Sequence, residues 1–432
     1  MSDDFTKGPA RPTRLGLTRK RFLQGTLAAA GGVVAAPAIV SRIRVARAQE
    51  TGPVKLGFLL DLTGTWADSG TPKSRAAQMA CDEINEAGGI LGREVEPVIV
   101  DAQSETDRYV SMTRIMIGRD NVDAIFGGGG SQNREAMRPI AHQAEIPYFY
   151  CTSYEGGVAD SWTFCTGVVP EQGFAALIPY MKENYGPRVY DLAADYLWGQ
   201  LSTLWLDEYV AETGSEVVGR EAVPLDVSDF SSTLARIQQA EPDWIYSSLT
   251  GREQAAFFNQ RVSQNVDIPM ADFVISLAQS GNHRRMEPPV LSGLHETFSY
   301  VEELPGEANR SFVERYRSRW PDEIFINQPA QNTYFTIQLY AKAAELAGTT
   351  EPIEIVKALE TGISVDAPEG EVRVDPATHH VSHTVHLGRV DQNHEIEILE
   401  SSTGIEPYWL RTVGVDLTKT PDNRQYSPLD VN

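Results

Sequence analysis

The chain is expected to be an α/β protein made of two open parallel-sheet lobes, and three observations carry that expectation. From residue 54 onward, short apolar or β-branched runs alternate with segments of helical period, the pattern of a parallel sheet wrapped by helices. The alternation completes itself by about residue 151 and begins again near residue 189. At 432 residues, 41% hydrophobic and 22% charged, the chain has ordinary globular composition and the length for two or three cores.

The first series reads strand "VKLGFLL" (54–60), helix "SRAAQMACDEINEAGG" (74–89), strand "EVEPVIVDA" (94–102) and helix "RYVSMTRIMIGRD" (108–120). Strand "VDAIFGG" (122–128), helix "NREAMRPIAHQAE" (133–145) and strand "PYFYC" (147–151) complete it. After the helical stretch "VVPEQGFAALIPYMKENYG", a second series has strands "VYDLAA", "EVVGREAV", "DWIYSS" and "PMADFVI", with helices over about 198–213, 229–240 and 252–264. Strand-like "LSGLHETFSYV" precedes three helices (306–319, 329–347 and 352–361) and three strands, "GEVRV", "HTVHLGRV" and "HEIEIL". The polar tail from Thr418 is expected to be loosely held.

Residues 1–48 are unlike the rest. Nine Lys and Arg face only Asp3 and Asp4, and "GTLAAAGGVVAAPAIV" is apolar but short and broken by Gly and Pro. A basic n-region, a weak h-region and "ARA" at Ala46–Ala48 make a removable export signal, cleaved before Gln49, and predict a periplasmic location. "TRKRFLQ" resembles the twin-arginine motif with Lys20 in place of the second arginine, which leaves the Tat and Sec routes both open. The net charge of −22 argues against nucleic acid or an anionic membrane surface as partner.

The stretch "AIFGGGGSQNREA" (124–136) invites three chemical readings, and each lacks a part. A P-loop would need a lysine where Ser131, Gln132 and Asn133 follow the glycines. A dinucleotide fingerprint would need a third small residue and an acid closing the next strand, which instead ends Cys151-Thr152-Ser153. A nucleophile elbow would need a glycine at Asn133. His379, His380, His383 and His386 are read as a solvated turn with edge histidines in preference to a metal site, since His383 and His386 point to opposite faces of a strand. Cys151 and Cys165 end one loop, so an exported chain could bridge them or keep both as buried thiols.

In open parallel sheets, ligands bind beyond the carboxyl ends of the strands. That places Asp61–Trp66, Gly127–Asn133, Tyr150–Tyr154, Asp195–Trp198, Thr250–Arg252 and Ser276–Gln279 at the site. Their hydroxyls, amides and aromatics suit a small polar solute held under aromatic rings.

The stretches "INEAGGILGREVEPVIVD", "SYEGGVADSWTFCTGVVPEQ", "DAPEGEVRVDPATHHVSHTVHLGRV" and "IEPYW" resemble type I periplasmic solute-binding proteins that feed ABC importers. Within that leucine/isoleucine/valine-binding superfamily the resemblance is greatest to the short-chain amide and urea branch. It implies two Rossmann-like lobes joined by three hinge crossovers, with lobe one at 49–168 plus 301–364, lobe two at 169–300 plus 365–412, and a tail at 413–432. It implies a non-enzymatic receptor without cofactor or metal, a monomer, whose partners are a small-molecule ligand and the importer's membrane subunits; a periplasmic sensor is the alternative, and an exported hydrolase a further one. Ser131, with the amides around Gly129, Gly130 and Gln132, and Tyr150 and Thr152 would hold a ligand oxygen from the first lobe. Tyr196 and Thr250 would close from the second, Trp66 would exclude water, and Asp195 could meet an ammonium. Gly128, Gly129 and Gly130 stand where amide and urea members carry larger side chains, which predicts a roomier pocket.

Overall fold

A computed structural model describes residues 52–225 and 227–430; the export signal lies outside them. In chain order the elements are β1 (Val54–Leu60), α1 (Ala67–Glu86), β2 (Val95–Asp101), α2 (Thr106–Ile115), β3 (Ala124–Gly127), α3 (Ser131–Ala144), β4 (Tyr148–Tyr150), β5 (Val158–Asp160) and β6 (Thr163–Cys165). Then follow α4 (Pro170–Tyr185), β7 (Arg188–Ala194), α5 (Leu197–Thr213), β8 (Glu216–Val223), α6 (Ser231–Ala240), β9 (Trp244–Ser247), α7 (Gly251–Ser263), β10 (Met270–Phe273), a π-helical turn (Ile275–Gln279), α8 (Asn282–Arg285) and β11 (Leu294–Phe298). The remainder is α9 (Glu307–Arg319), α10 (Gln328–Ala347), α11 (Pro352–Leu359), β12 (Ser364–Ala367), β13 (Gly370–Val374), β14 (Val381–Val390), β15 (Ile396–Ile405), α12 (Trp409–Thr412) and β16 (Asn423–Gln425).

The first sheet is wholly parallel, in the order β2-β1-β3-β4-β6. Because side chains alternate across a strand, each strand feeds two cores. On one face Phe58, Phe126, Phe149 and Phe164 stand in register on four neighbouring strands, with ring centroids 5.2, 4.7 and 5.5 Å apart and Tyr340 of α10 edge-on to the middle pair. On the other, Leu59, Ile125, Tyr148, Tyr150 and Cys165 pack with Tyr109, Met116 and Met137.

The second sheet runs β12-β13-β14-β11-β10-β9-β7-β8, with β15 on β14. Strands β8, β7, β9, β10 and β11 are parallel, and β14 reverses against β11. The chain passes from the first sheet's strands to the second's between β6 and β7, leaves for α9–α11 after β11, and returns at β12. Helix α10 ties these passages together: Gln328 Nε2 donates to Ser153 Oγ while its Oε1 accepts from the amides of Ser299 and Tyr300, and Thr336 donates to Thr166.

Of the two alternatives for Cys151 and Cys165, the structure shows buried free thiols: Tyr150 is the register partner of Cys165, so Cys151 points to the opposite face and packs in the phenylalanine core. Two expectations are corrected. The tail is docked, with β16 antiparallel to β5, Arg138 Nη1 donating to Asn423 O at 2.6 Å and Gln425 Nε2 to Glu155 Oε1 at 2.7 Å. His379, His380 and His383 are buried, and each imidazole meets a side-chain partner: Glu360 Oε1 at 3.1 Å, the Tyr154 hydroxyl at 2.5 Å and Glu369 Oε1 at 2.6 Å. Only His386 keeps the half-exposed edge position that was expected, beside Ser401 at 2.7 Å.

Candidate functional site

The carboxyl ends of strands from both sheets meet at one cleft. Trp66 lies after β1, Gly129–Ser131 after β3 and Tyr150–Ser153 at and after the end of β4; Tyr196 and Trp198 follow β7, and Ile275 and Gln279 belong to the turn after β10. Trp66, Gly129, Gly130, Ser131, Tyr150, Thr152, Ser153, Tyr196, Trp198, Ile275 and Gln279 line a cavity of about 20 Å³. That is room for roughly one water.

The glycines do not enlarge this space. A Cβ on Gly129 would stand 2.1 Å from Asp61 Oδ2 and 3.0 Å from the Trp66 ring, and one on Gly128 would stand 2.9 Å from both the Tyr148 hydroxyl and the Tyr150 ring. Gly128 also has φ of +95°, a conformation that favours glycine. Their smallness admits the protein's own side chains, which corrects the expectation of a roomier pocket. Asp61 beneath them accepts from Tyr109 Oη and the Ser104 amide, both at 2.7 Å, and burial raises its carboxyl pKa.

Beneath Thr152 lies Lys73 of α1, 2% exposed. Its ammonium donates to Thr152 Oγ1 at 2.9 Å and Gly128 O at 3.0 Å, and burial lowers its pKa. Ser131 opens α3, where the first amides have no partner within the helix. Its hydroxyl donates to Glu155 Oε2 at 2.5 Å, not to an imidazole as a hydrolytic nucleophile would. Glu155 and Arg134 form an ion pair at 2.7 Å whose two side chains are both 0% exposed. The Arg134 guanidinium lies over the rings of Tyr154 and Tyr150, 4.4 and 5.1 Å from their centroids.

From the other sheet, Trp198 Nε1 is fixed on Ser248 O at 3.0 Å, and burial raises the pKa of the Tyr196 phenol beside Thr250. The lining turn is held from behind by two buried carboxyls. Asp272 accepts from the amides of Ile275 and Ser276, and Glu296 from those of Leu277 and Ala278 at 2.7 and 2.9 Å. Burial raises the pKa of both carboxyls.

Of the sequence-predicted residues, Gly129, Gly130, Ser131, Tyr150, Thr152, Tyr196 and Trp66 line the cavity. Thr250 sits one layer back against Tyr196, and Gln132 packs beside Gly130. Asp195 is exposed and accepts from Gln200, away from the lining. Lys73 and Glu155 escaped sequence reading; the only cue for Glu155 was its place directly after a strand end, in "SYEGG". A larger cavity, about 170 Å³, lies between α4 and β14–β15, lined by Ala175, Ala176, Val385, Leu387 and neighbours. Its one buried polar liner, Gln172, already bonds Val381 O, Ile405 O and the Val169 amide, so the strand-end cleft remains the candidate.

The family profile described as periplasmic binding protein matches residues 53–395. The chain belongs to the periplasmic binding protein family. Leu/Ile/Val-binding protein homolog 7 of Brucella abortus (strain 2308) is 22% identical over 51% of this chain, and the match spans only 58% of that relative's length. A solute binding protein of an ABC transporter from Rhodopseudomonas palustris BisB5, solved with 3,4-dihydroxybenzoic acid, superposes with TM-score 0.71 at 20% identity, covering 85% of this chain and 99% of that one. A branched-chain amino acid transporter substrate binding protein from Streptococcus pneumoniae, solved with isoleucine, gives TM-score 0.67 at 21% identity, covering 81% and 99%. These likenesses establish the type I fold of this family member, with its two parallel-sheet lobes.

Proposed function

We propose that this protein is an extracytoplasmic solute-binding receptor of an ABC importer, exported to the periplasm, that captures a small polar metabolite between its two lobes. The observation that carries this reading is the convergence of hydroxyls and aromatics from both sheets' strand ends, with the start of α3, on one cleft. Lobe one comprises residues 49–168 with 301–364, and lobe two residues 169–300 with 365–412. The lobes close by hinge motion about the three crossovers, and the importer's membrane subunits read the closed form. The ligand is amide-like, urea-like or amino-acid-like: Ser131 and Thr152 meet its polar atoms, while Trp66, Tyr150 and Tyr196 exclude water. A cleft with about 20 Å³ of free volume calls for a small solute or a wider opening. Thermal-shift screening of amides, ureas, amino acids and benzoates is the test. A concentration-dependent rise in melting temperature for one class is expected, and no rise for any class would overturn the reading.

A further inference from the structure

We propose that Glu155 and Lys73, neither of which lines the cleft, set the hydrogen-bond polarity of the two hydroxyls that do. The site then selects a solute that pairs an N–H donor with an acceptor and rejects a plain arylcarboxylate. This deepens the solute-binding reading above and rests on it.

A hydroxyl carries one proton, and an ionised carboxylate can only accept. The proton of Ser131 is committed to Glu155 Oε2 at 2.5 Å, away from the cleft. Glu155 is held there: its Oε1 accepts from Arg134 and from Gln425 Nε2, both at 2.7 Å, and its backbone oxygen accepts from Trp205 Nε1 at 2.6 Å. What Ser131 turns to the cleft is therefore oxygen lone pairs. A ligand N–H can use them, whereas a ligand carboxylate would face them with a second carboxylate behind. Gln279 adds another acceptor to the lining, its Oε1 buried without a partner.

Thr152 is set the opposite way. Lys73 donates to its oxygen at 2.9 Å, so the Thr152 proton is what remains to offer. That proton rests on Gly128 O at a long 3.3 Å, and Lys73 also holds Gly128 O at 3.0 Å, so the carbonyl keeps a partner when Thr152 turns to a ligand. The Ser131 and Gln132 amides that open α3 are further donors. Primary amides, ureas and α-amino acids present both a donor and an acceptor, and benzoate presents acceptors alone.

The test is calorimetric titration of acetamide, urea, an α-amino acid and benzoate into the full-length mature protein and its variants. Wild type should bind one donor-bearing class at least about ten-fold tighter than benzoate, the scale of a buried polar group left unpaired. Glu155→Gln returns a donor beside Ser131 and should move that ratio toward benzoate about ten-fold, while Lys73→Met moves it the other way. Should Glu155→Gln fail to fold, Ser131→Ala serves in its place, with loss of affinity confined to the donor-bearing ligands. Benzoate binding wild type as tightly as the others, or a ratio unmoved in the folded variants, overturns the inference and leaves the solute-binding reading standing. Failure of every ligand to bind wild type overturns both.

Discussion

Gly129→Ala separates two accounts of the glycine run. Its Cβ would lie 2.1 Å from Asp61 Oδ2, 3.0 Å from the Trp66 ring and 3.2 Å from the Tyr109 hydroxyl. Asp61 cannot easily retreat, because Oδ2 accepts from Tyr109 and Oδ1 from the Ser104 amide, both at 2.7 Å. Making room costs a hydrogen bond to a buried acid, about 1.5–3 kcal/mol, and crowding of about 1–3 kcal/mol. Together these predict a loss of about 3–5 kcal/mol, or about 4–6 °C in melting temperature by scanning calorimetry for a chain of this size. Gly130→Ala is the control: its Cβ would meet the Gln132 amide at 3.0 Å and the Trp66 ring edge at 3.1 Å. Those groups can move, and the cost should stay within about 1 kcal/mol. A Gly129→Ala protein that melts within about 1 °C of wild type, yet binds its solute more weakly, would refute the reasoning and make the glycines ligand space after all.

Alkylation in denaturant without prior reduction should modify Cys81, Cys151 and Cys165 alike, read by intact mass; modification of Cys81 alone would restore the bridge. Removing residues 419–432 should lower the melting temperature by several degrees, since it strips β16 from β5 and Gln425 from Glu155, whereas a loose tail would leave it unchanged. Burial raises the Glu171 carboxyl pKa from 4.5 to about 7. A carboxyl raised on folding stabilises below its unfolded pKa, and that contribution fades as pH climbs from about 4.5 to 7, by up to roughly 3 kcal/mol. Glu171→Gln should therefore flatten the fall in melting temperature across that window; an unaltered slope would contradict the assignment.

The sheets were legible in the sequence because a buried parallel strand announces itself as an unbroken apolar run, as "VKLGFLL" and "VYDLAA" do. Strands β5, β6 and β16 were not, being three residues each and stabilised by distant partners. The cleft was legible to the extent that topology dictates it: loops after strand ends supply Ser131, Thr152 and Tyr196. The residues behind them were not. Glu155 draws its meaning from Arg134 and from Gln425, 270 residues away, and Lys73 from a helix that reaches under β3 and β4. A run of glycines likewise cannot say whose atoms fill the space it leaves. The histidines looked solvated because the carboxylates that bury two of them, Glu360 and Glu369, sit in other elements.

The central claim is that the strand-end cleft captures a small polar solute. Its most direct test is calorimetry of wild type, Ser131→Ala and Tyr196→Ala against the best ligand from the thermal-shift screen. The account predicts one site per chain in wild type, with affinity reduced about ten-fold or more in each folded variant. Undiminished binding in both variants would place the solute elsewhere and contradict it.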